Sequence, residues 1–97
     1  MQVAWRDDAL ASLERVRAYI AERNPEAAGR LLAAVFEAVS RLAFAPYLGR
    51  RGRVSGTREL VMRRTPYIVA YTVDGERVVI LEVRHGAREW PKAFDLC

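Results

Sequence analysis

The spacing of hydrophobic residues changes once along this chain, from a helical period in the first half to strand-like runs in the second. Residues 7–44 carry apolar side chains at intervals of three and four, which is typical of amphipathic helices. Further on, runs rich in β-branched and aromatic residues predict strands at 57–64, 67–73 and 77–84. Helices and strands come from separate parts of the chain, which indicates an α+β fold.

Two helices are predicted in the first half. Asp7 or Asp8 is positioned to cap the first helix, which we expect to end near residues 22–23. The triplet Asn-Pro-Glu at 24–26 is a second start signal. Asparagine caps a helix, proline is tolerated at the first helical position, and an acidic side chain favours the first turn. The second helix is expected to run to about Phe44, and its broad apolar face predicts packing against a sheet.

The remaining segments complete a single predicted domain. Residues 2–5 form a short first strand, and 45–52 is interpreted as a loop because one proline and two glycines interrupt it. The pair Asp74-Gly75 predicts a two-residue turn with positive φ at both positions, which makes the last two strands antiparallel. The expected fold is β-α-α-β-β-β, with a helical hairpin packed on one face of a mostly antiparallel sheet. A chain of 97 residues suffices for one such domain, covering 1–97.

The alternation of the last strand predicts which side chains face the helices. Val79, Leu81 and Val83 share one side, which is assigned to the helices. The opposite side then carries Val78, Ile80, Glu82 and Arg84. His85 continues the phase of Val83 and is expected on the helix side, away from Arg84, since no bulge is evident in the sequence.

Composition excludes several classes of protein. The longest apolar run, residues 31–36, is far shorter than the roughly 20 residues that a membrane span requires. Residues 1–7 lack the basic-then-apolar layout of a signal peptide, so a cytoplasmic location without membrane contact is expected. The single cysteine, Cys97, allows no internal disulfide and no cysteine-based zinc site, and we expect it to be exposed. No cofactor and no metal are expected.

Positive charge is concentrated in the second half of the chain. Residues 1–48 hold six arginines and six acidic residues, whereas 49–97 hold ten basic and six acidic residues. Within 50–64 six arginines accompany the single acid Glu59. The planar guanidinium group matches phosphate and carboxylate, so this segment fits a nucleic-acid or acidic-protein partner. The alternative, given equal weight, is that these arginines form a solvated edge of the protein without a binding function.

Five motifs, taken in order, resemble a known family. They are the segments 19–28, 42–50, 56–61, 66–71 and 85–91, the last reading His-Gly-Ala-Arg-Glu-Trp-Pro. Over essentially the whole chain they resemble toxins of the RelE/ParE superfamily of bacterial type II toxin–antitoxin modules. The ParE branch, which the motifs resemble most, is associated with poisoning of DNA gyrase. The RelE branch cleaves mRNA in the ribosomal A site.

The resemblance implies a protein inhibitor that binds gyrase on DNA rather than an enzyme. Ribonuclease members often carry an arginine early in the third strand, where this chain has Ile68, and Lys92 is its only lysine. Contacts with the target are expected in the segments 50–64 and 84–96, with Arg58, Arg63 and Arg64 exposed. The candidate contact residues are Arg50, Arg51, Arg53, Arg58, Arg63, Arg64, Arg84, Arg88 and Trp90. Sealing of the core is the alternative role for Trp90.

A ribosome-dependent mRNA endoribonuclease is the first alternative function. RNA cleavage beside a 2′-hydroxyl needs a base, cations that stabilise the phosphorane and an acid for the leaving oxygen. The residues available for these roles are Glu59 as base, Arg58, Arg63 and Arg84 as phosphate ligands, and His85 as acid. Each has a structural alternative: Glu59 pairs with an arginine, Arg84 with Glu82, and His85 caps the strand end. A non-toxic nucleic-acid-binding module is the second alternative.

The resemblance also implies a cognate antitoxin, ParD-like or another small protein, whose flexible segment folds on the toxin. The sheet is expected to offer open edges for strand addition. The helical hairpin is expected to offer a groove beside Tyr19, Leu31 and Phe36, if these side chains face outward. Gyrase, or the ribosome with its mRNA in the alternative, is the second implied partner.

Overall fold

The computed structural model describes residues 1–94 of the chain, so Cys97 lies outside the described residues. In chain order its elements are β1 Gln2–Trp5, α1 Asp7–Ala21, α2 Pro25–Arg41, β2 Arg50–Arg51, β3 Arg58–Val61, β4 Tyr67–Asp74 and β5 Arg77–His85. The predicted α+β order is confirmed, with one addition. The two-residue strand β2 lies within 45–52, which the sequence predicts to be a loop, and α2 ends at Arg41, earlier than predicted.

The strands form one mixed sheet in the order β1-β5-β4-β3-β2. Strand β1 runs parallel to β5, whereas the other neighbours are antiparallel, as the prediction of a mostly antiparallel sheet requires. The last hairpin forms, but its turn is shifted by one residue. Asp74 pairs with Arg77, so Gly75 and Glu76 are the turn positions, and only Gly75 has positive φ, at 60°.

Local chemistry explains where the helices begin. The cap of α1 is Arg6, which makes no side-chain capping bond, so the predicted capping role of Asp7 or Asp8 is wrong. Both acids lie in the first turn, where their charge favours the positive end of the helix dipole. The prediction for α2 is confirmed, because the Asn24 Oδ1 accepts the Ala27 N–H at 3.1 Å.

The core lies between the helical hairpin and one face of the sheet, as predicted. Its helical members are Ala9, Leu13, Leu31, Val35 and Val39, and Leu42 joins them from the C-cap of α2. Its strand members are Tyr67, Val69, Tyr71, Val78, Ile80 and Val83. We call the opposite face of the sheet the outer face, and the loop after β2 and the segment after β5 lie on it.

A β-bulge interrupts the pairing of β4 with β5. Tyr71 pairs with Ile80, but the preceding Ala70 pairs with Glu82, so Leu81 has no partner in β4. Successive side chains of a strand point to opposite faces of the sheet. One extra residue therefore changes which alternate set of side chains faces the helices before and after the bulge.

The bulge makes the predicted facing pattern wrong in the first half of β5. Val78 and Ile80 are fully buried in the core beneath the helices, whereas Val79 is half-buried on the outer face. Beyond the bulge the prediction is correct for Val83. This residue joins the helix-side core, and its N–H donates to the Ser12 Oγ of α1 at 2.9 Å.

Candidate functional site

The outer face of the sheet contains a carboxylate that is almost completely enclosed. The Glu59 side chain is only 2% exposed. Its Oε1 accepts from the Arg50 Nη2 at 2.9 Å, and its Oε2 accepts from the Arg53 Nε at 3.0 Å and the Arg53 backbone N–H at 2.9 Å. Strand register explains the first contact, since Arg50 is the cross-strand partner of Glu59.

The charge of Glu59 is stabilised by these contacts. Burial raises the pKa of the carboxyl group, but hydrogen bonds from Arg53 and Arg50 outweigh it, and the net pKa lies below its ordinary value. Both oxygens are occupied as acceptors from arginine, as in the structural alternative considered for this residue. A general base needs a free lone pair within reach of a substrate hydroxyl, so Glu59 is unsuited to that role.

The segment after β5 folds against this cluster through Trp90. The Arg53 guanidinium lies 4.4 Å from the centroid of the Trp90 ring, and the Arg84 guanidinium lies 5.9 Å from it. Arg53 Nη1 also donates to the Gly86 carbonyl oxygen at 2.9 Å. Arg84 pairs with Glu82, the structural alternative noted for it. Trp90 is half-buried and packed between cationic groups, so it covers the outer face and does not present a free ring.

A cavity of about 460 Å³ lies between α1 and the adjoining ends of β4 and β5. It is lined by Ser12, Arg15, Val16, Tyr19, Tyr67, Glu82, Val83, Arg84, His85, Arg88 and Glu89. His85 lies on the helix side, as predicted, with its ring edge-on to Tyr67 at a centroid distance of 5.6 Å. Its Nδ1 accepts the Ala87 N–H at 3.0 Å, so the imidazole caps the strand end.

The five residues of the ribonuclease alternative do not converge on one site. His85 and Arg84 line the cavity beside α1, whereas Arg58 lines a separate cavity at the β2–β3 edge. Glu59 lines neither cavity, and Arg63 is exposed in the turn after β3. These five residues therefore do not bring a base, a phosphate ligand and an acid together around one point.

Besides Trp90, the predicted target contacts are eight arginines, which differ in whether their side chains already have partners. Arg50, Arg53 and Arg84 are engaged with acidic side chains, as described above. Arg58, expected to be exposed, is half-buried and donates to the Gly49 carbonyl oxygen at 2.9 Å, so that expectation is wrong. Four are exposed and have no side-chain partner within residues 1–94, namely Arg51, Arg63, Arg64 and Arg88.

Three of the free arginines, Arg63, Arg64 and Arg88, lie at one end of the sheet, and we call them the basic end. The turns that carry them meet there, because the Gly86 N–H donates to the Pro66 carbonyl oxygen at 2.7 Å. Arg64 has a φ of 65°, in the left-handed region that costs an ordinary residue roughly 1 kcal/mol. The exposure of Arg63 and Arg64 agrees with the prediction.

The three residues predicted to line a groove on the helical hairpin differ in exposure. Tyr19 is 50% exposed and Phe36 is 45% exposed, so both face outward. Leu31 is 5% exposed and belongs to the core, so its assignment to an outward groove is wrong. The α2 stripe turns Leu31 inward because it follows Ala28 by three positions on the buried side of the helix.

Tyr71 belongs to the core and also positions the loop before β2. Its Oη accepts the Gly49 N–H at 2.8 Å and donates to the Pro46 carbonyl oxygen at 2.8 Å. Burial raises the pKa of this phenol, which the Gly49 hydrogen bond and the Arg58 charge offset only in part. No local pattern signals this role, because Tyr71 lies more than 20 residues from both partners.

Replacing Tyr71 with phenylalanine should lower the free energy of unfolding by about 1–2 kcal/mol, because the buried Gly49 N–H loses its acceptor. Urea denaturation of Tyr71→Phe against wild type measures this. Tyr47→Phe is the control, since Tyr47 is largely exposed and should change stability by less than about 0.5 kcal/mol. Equal stability of Tyr71→Phe and wild type would contradict the positioning role.

The described part of the chain offers neither a metal site nor a membrane-spanning helix. Among residues 1–94, no three histidine, cysteine, aspartate or glutamate side chains are grouped so as to hold a metal ion. Neither of the helices in this range is long and apolar enough to cross a membrane.

Comparison with known proteins gives consistent matches. The family model for the ParE toxin of the type II toxin–antitoxin system parDE matches residues 3–90. The chain is 41% identical over 93 residues to toxin Y4kP of Sinorhizobium fredii, covering 96% of each chain. It is 39% identical over 87 residues to Toxin RelE2 of Caulobacter vibrioides, covering 90% of this chain and 97% of the other.

A solved structure agrees in fold as well as in sequence. A chain of the chromosomal ParDE TA system from P. aeruginosa superimposes with a TM-score of 0.78 at 26% identity, covering 88% of this chain and 95% of the other. Together with the family match over nearly the whole length, this similarity shows that the chain belongs to the ParE toxin family of type II toxin–antitoxin systems.

Proposed function

We propose that this protein arrests bacterial growth by binding the complex of DNA gyrase with DNA and trapping the DNA in its broken state, in the cytoplasm. Family membership supports the proposal, since the ParE branch is associated with gyrase poisoning. The observation that carries it is the state of Glu59. A carboxylate held by Arg50 and Arg53 stabilises the fold and is not available as the general base that the ribonuclease alternative assigns to it. A binding inhibitor is the role that such a surface supports.

The basic end is the proposed contact surface on the target. Arg63, Arg64 and Arg88 are exposed and have no side-chain partner within residues 1–94. Free guanidinium groups form bidentate bonds to phosphate or carboxylate without first breaking an internal ion pair. A complex of protein and DNA offers both kinds of anion, which favours this end over the Glu59 cluster.

A second candidate function is ribosome-dependent cleavage of mRNA. One observation favours it: His85, Arg84 and Arg88 line the same cavity beside α1. A histidine and two guanidinium groups could serve as an acid and phosphate ligands. The base assigned from the sequence, Glu59, lies outside this cavity, and the carboxylates that line it are Glu82, which pairs with Arg84, and Glu89.

Pulse-labelling separates the two candidates. The protein is induced in a bacterial host, and DNA synthesis and protein synthesis are labelled separately within minutes. We expect DNA synthesis to stop first, with induction of the DNA-damage response and filamentous cells. If protein synthesis stops first, the gyrase proposal is wrong and the cavity around His85 becomes the candidate catalytic site.

We also propose a cognate small antitoxin as partner, ParD-like in kind. The outward aromatic side chains Tyr19 and Phe36 on the helical hairpin support this, since exposed aromatic residues often anchor protein interfaces. The sheet also ends in the short strands β1 and β2, whose outer edges are open to strand addition. Co-expression with the product of the adjacent gene should yield a stable complex, and failure to copurify would count against this partner.

A further inference from the structure

A second cavity lies where β2 pairs with β3, and we call it the edge cavity. Its volume is about 440 Å³, within the range of small-molecule sites. It is lined by Tyr47, Arg51, Gly52, Ser55, Gly56, Thr57, Arg58, Thr72 and Val73. No acidic side chain occurs among these lining residues. The wall therefore combines two cationic groups, three hydroxyl groups of serine and threonine, and one aromatic ring.

The two arginines of the edge cavity face each other across the strands. Arg51 is the cross-strand partner of Arg58, whereas the next pair in the same ladder joins Arg50 to Glu59. Side chains of such pairs point to the same face, so the first pair sets like charges side by side. Like charges directly opposite destabilise a sheet unless an anion lies between them.

The contacts of these two arginines leave room for an anion. The Arg51 guanidinium has no partner within residues 1–94. Arg58 Nη1 donates to the neutral Gly49 carbonyl oxygen at 2.9 Å, a bond that leaves its charge uncompensated. By contrast, Arg50 in the neighbouring pair has an acidic partner in Glu59, which it shares with Arg53. The edge cavity is therefore the position in this ladder where positive charge lacks a counterion from the described chain.

The aromatic ring of Tyr47 adds a second binding element. The Arg58 guanidinium lies 4.8 Å from the ring centroid and covers one face of the ring. Tyr47 is 63% exposed, so the other face is open to solvent. An aromatic platform beside guanidinium groups is the arrangement on which unpaired bases stack in proteins that bind single strands.

We propose that the edge cavity binds one nucleotide unit of a single-stranded nucleic acid, with its phosphate between Arg51 and Arg58 and its base against the open face of Tyr47. The inference deepens the proposed function and rests on it only for the inclusion of DNA among the nucleic acids tested. The phosphate and base chemistry is shared by DNA and RNA. The cavity is separate from the basic end and from the cavity beside α1.

Fluorescence anisotropy tests the proposal on the full chain in the absence of gyrase. The probes are dye-labelled single strands of ten thymidylates and of ten uridylates, measured at low and at moderate salt. We expect Arg51→Gln to weaken binding about fivefold to tenfold and Tyr47→Leu by a similar factor. Arg30→Gln is the matched control, because Arg30 is an exposed arginine of α2 outside the cavity and its loss changes net charge equally.

The outcomes are distinct. Selective weakening of binding by Arg51→Gln and Tyr47→Leu, with Arg30→Gln within twofold of wild type, supports nucleotide binding in the edge cavity. The probe that binds more tightly then identifies DNA or RNA as the ligand. Equal weakening by Arg51→Gln and Arg30→Gln would show general charge attraction and overturn it, as would absence of binding. Thermal unfolding of each variant establishes that it is folded. A failure of gyrase inhibition would affect the proposed function alone, since this measurement contains no gyrase.

Discussion

Glu59→Gln is expected to lower the free energy of unfolding by about 2–3 kcal/mol at neutral pH. The substitution keeps the shape of the side chain but removes the charge that binds Arg50 and Arg53. Hydrogen bonds to a charged group contribute roughly 1.5–3 kcal/mol. The loss stays below the roughly 3–5 kcal/mol of a fully buried pair, because both guanidinium groups are partly exposed. Urea denaturation of variant and wild type measures the difference.

The same pair of proteins should show a defined pH dependence. The pKa of Glu59 is lower in the folded chain than in the unfolded chain, so its charge contributes stability above the unfolded pKa of about 4.3. That contribution is lost as the pH falls through the folded pKa. The stability gap between wild type and Glu59→Gln should therefore narrow below about pH 4. A gap independent of pH would contradict the assignment of a charged Glu59.

Glu37→Gln provides the control. Glu37 pairs with Arg41 at 2.7 Å on the exposed side of α2, where both side chains are about 60% exposed. Exposed pairs of this kind contribute about 0.3–0.5 kcal/mol. If Glu37→Gln lowers the free energy of unfolding as much as Glu59→Gln does, removal of any carboxylate destabilises this basic chain. The Glu59 cluster would then have no special role in stability.

The second large effect is expected at the basic end. Simultaneous replacement of Arg63, Arg64 and Arg88 by glutamine should weaken growth arrest about 10- to 100-fold, because three exposed ionic contacts contribute roughly 0.5–1 kcal/mol each. The variant should remain folded, since these side chains are exposed and make no internal ion pair within residues 1–94. The measurement is the inducer concentration that halves the growth rate, at matched protein levels.

A second triple variant controls for net charge. Replacing Arg30, Arg41 and Arg77 by glutamine removes the same charge from α2 and from the start of β5. Arg41 and Arg77 make only exposed ion pairs, so little stability is lost. Toxicity should stay close to wild type. If both triple variants lose toxicity to the same extent, overall charge and not the basic end determines the activity.

Local signals in the sequence predicted the elements of the fold well. The start of α2 was predictable because the Asn24 cap and the proline after it act within one helical turn. The last hairpin was predictable from Gly75, although the turn is displaced by one position. The prediction of the α1 cap was wrong because two adjacent acidic residues fit either the capping position or the first turn of a helix.

Features that depend on distant partners could not be predicted from local patterns. The bulge at Leu81 follows from the register of β5 against β4, which no residue within β5 specifies. The enclosure of Glu59 depends on the loop that brings Arg53 and its backbone N–H to the carboxylate. Charge composition identified the arginine-rich segment, but only the contacts separate engaged side chains such as Arg53 from free ones such as Arg63.

The central claim, that this protein poisons gyrase, is tested most directly with purified components. Gyrase, supercoiled plasmid and ATP are incubated with the protein, and the DNA is released with detergent and protease. The account predicts that linear DNA accumulates with increasing protein, and that far less accumulates with the variant lacking Arg63, Arg64 and Arg88. Unchanged supercoiling with no cleaved DNA, at a molar excess of folded protein, would contradict it.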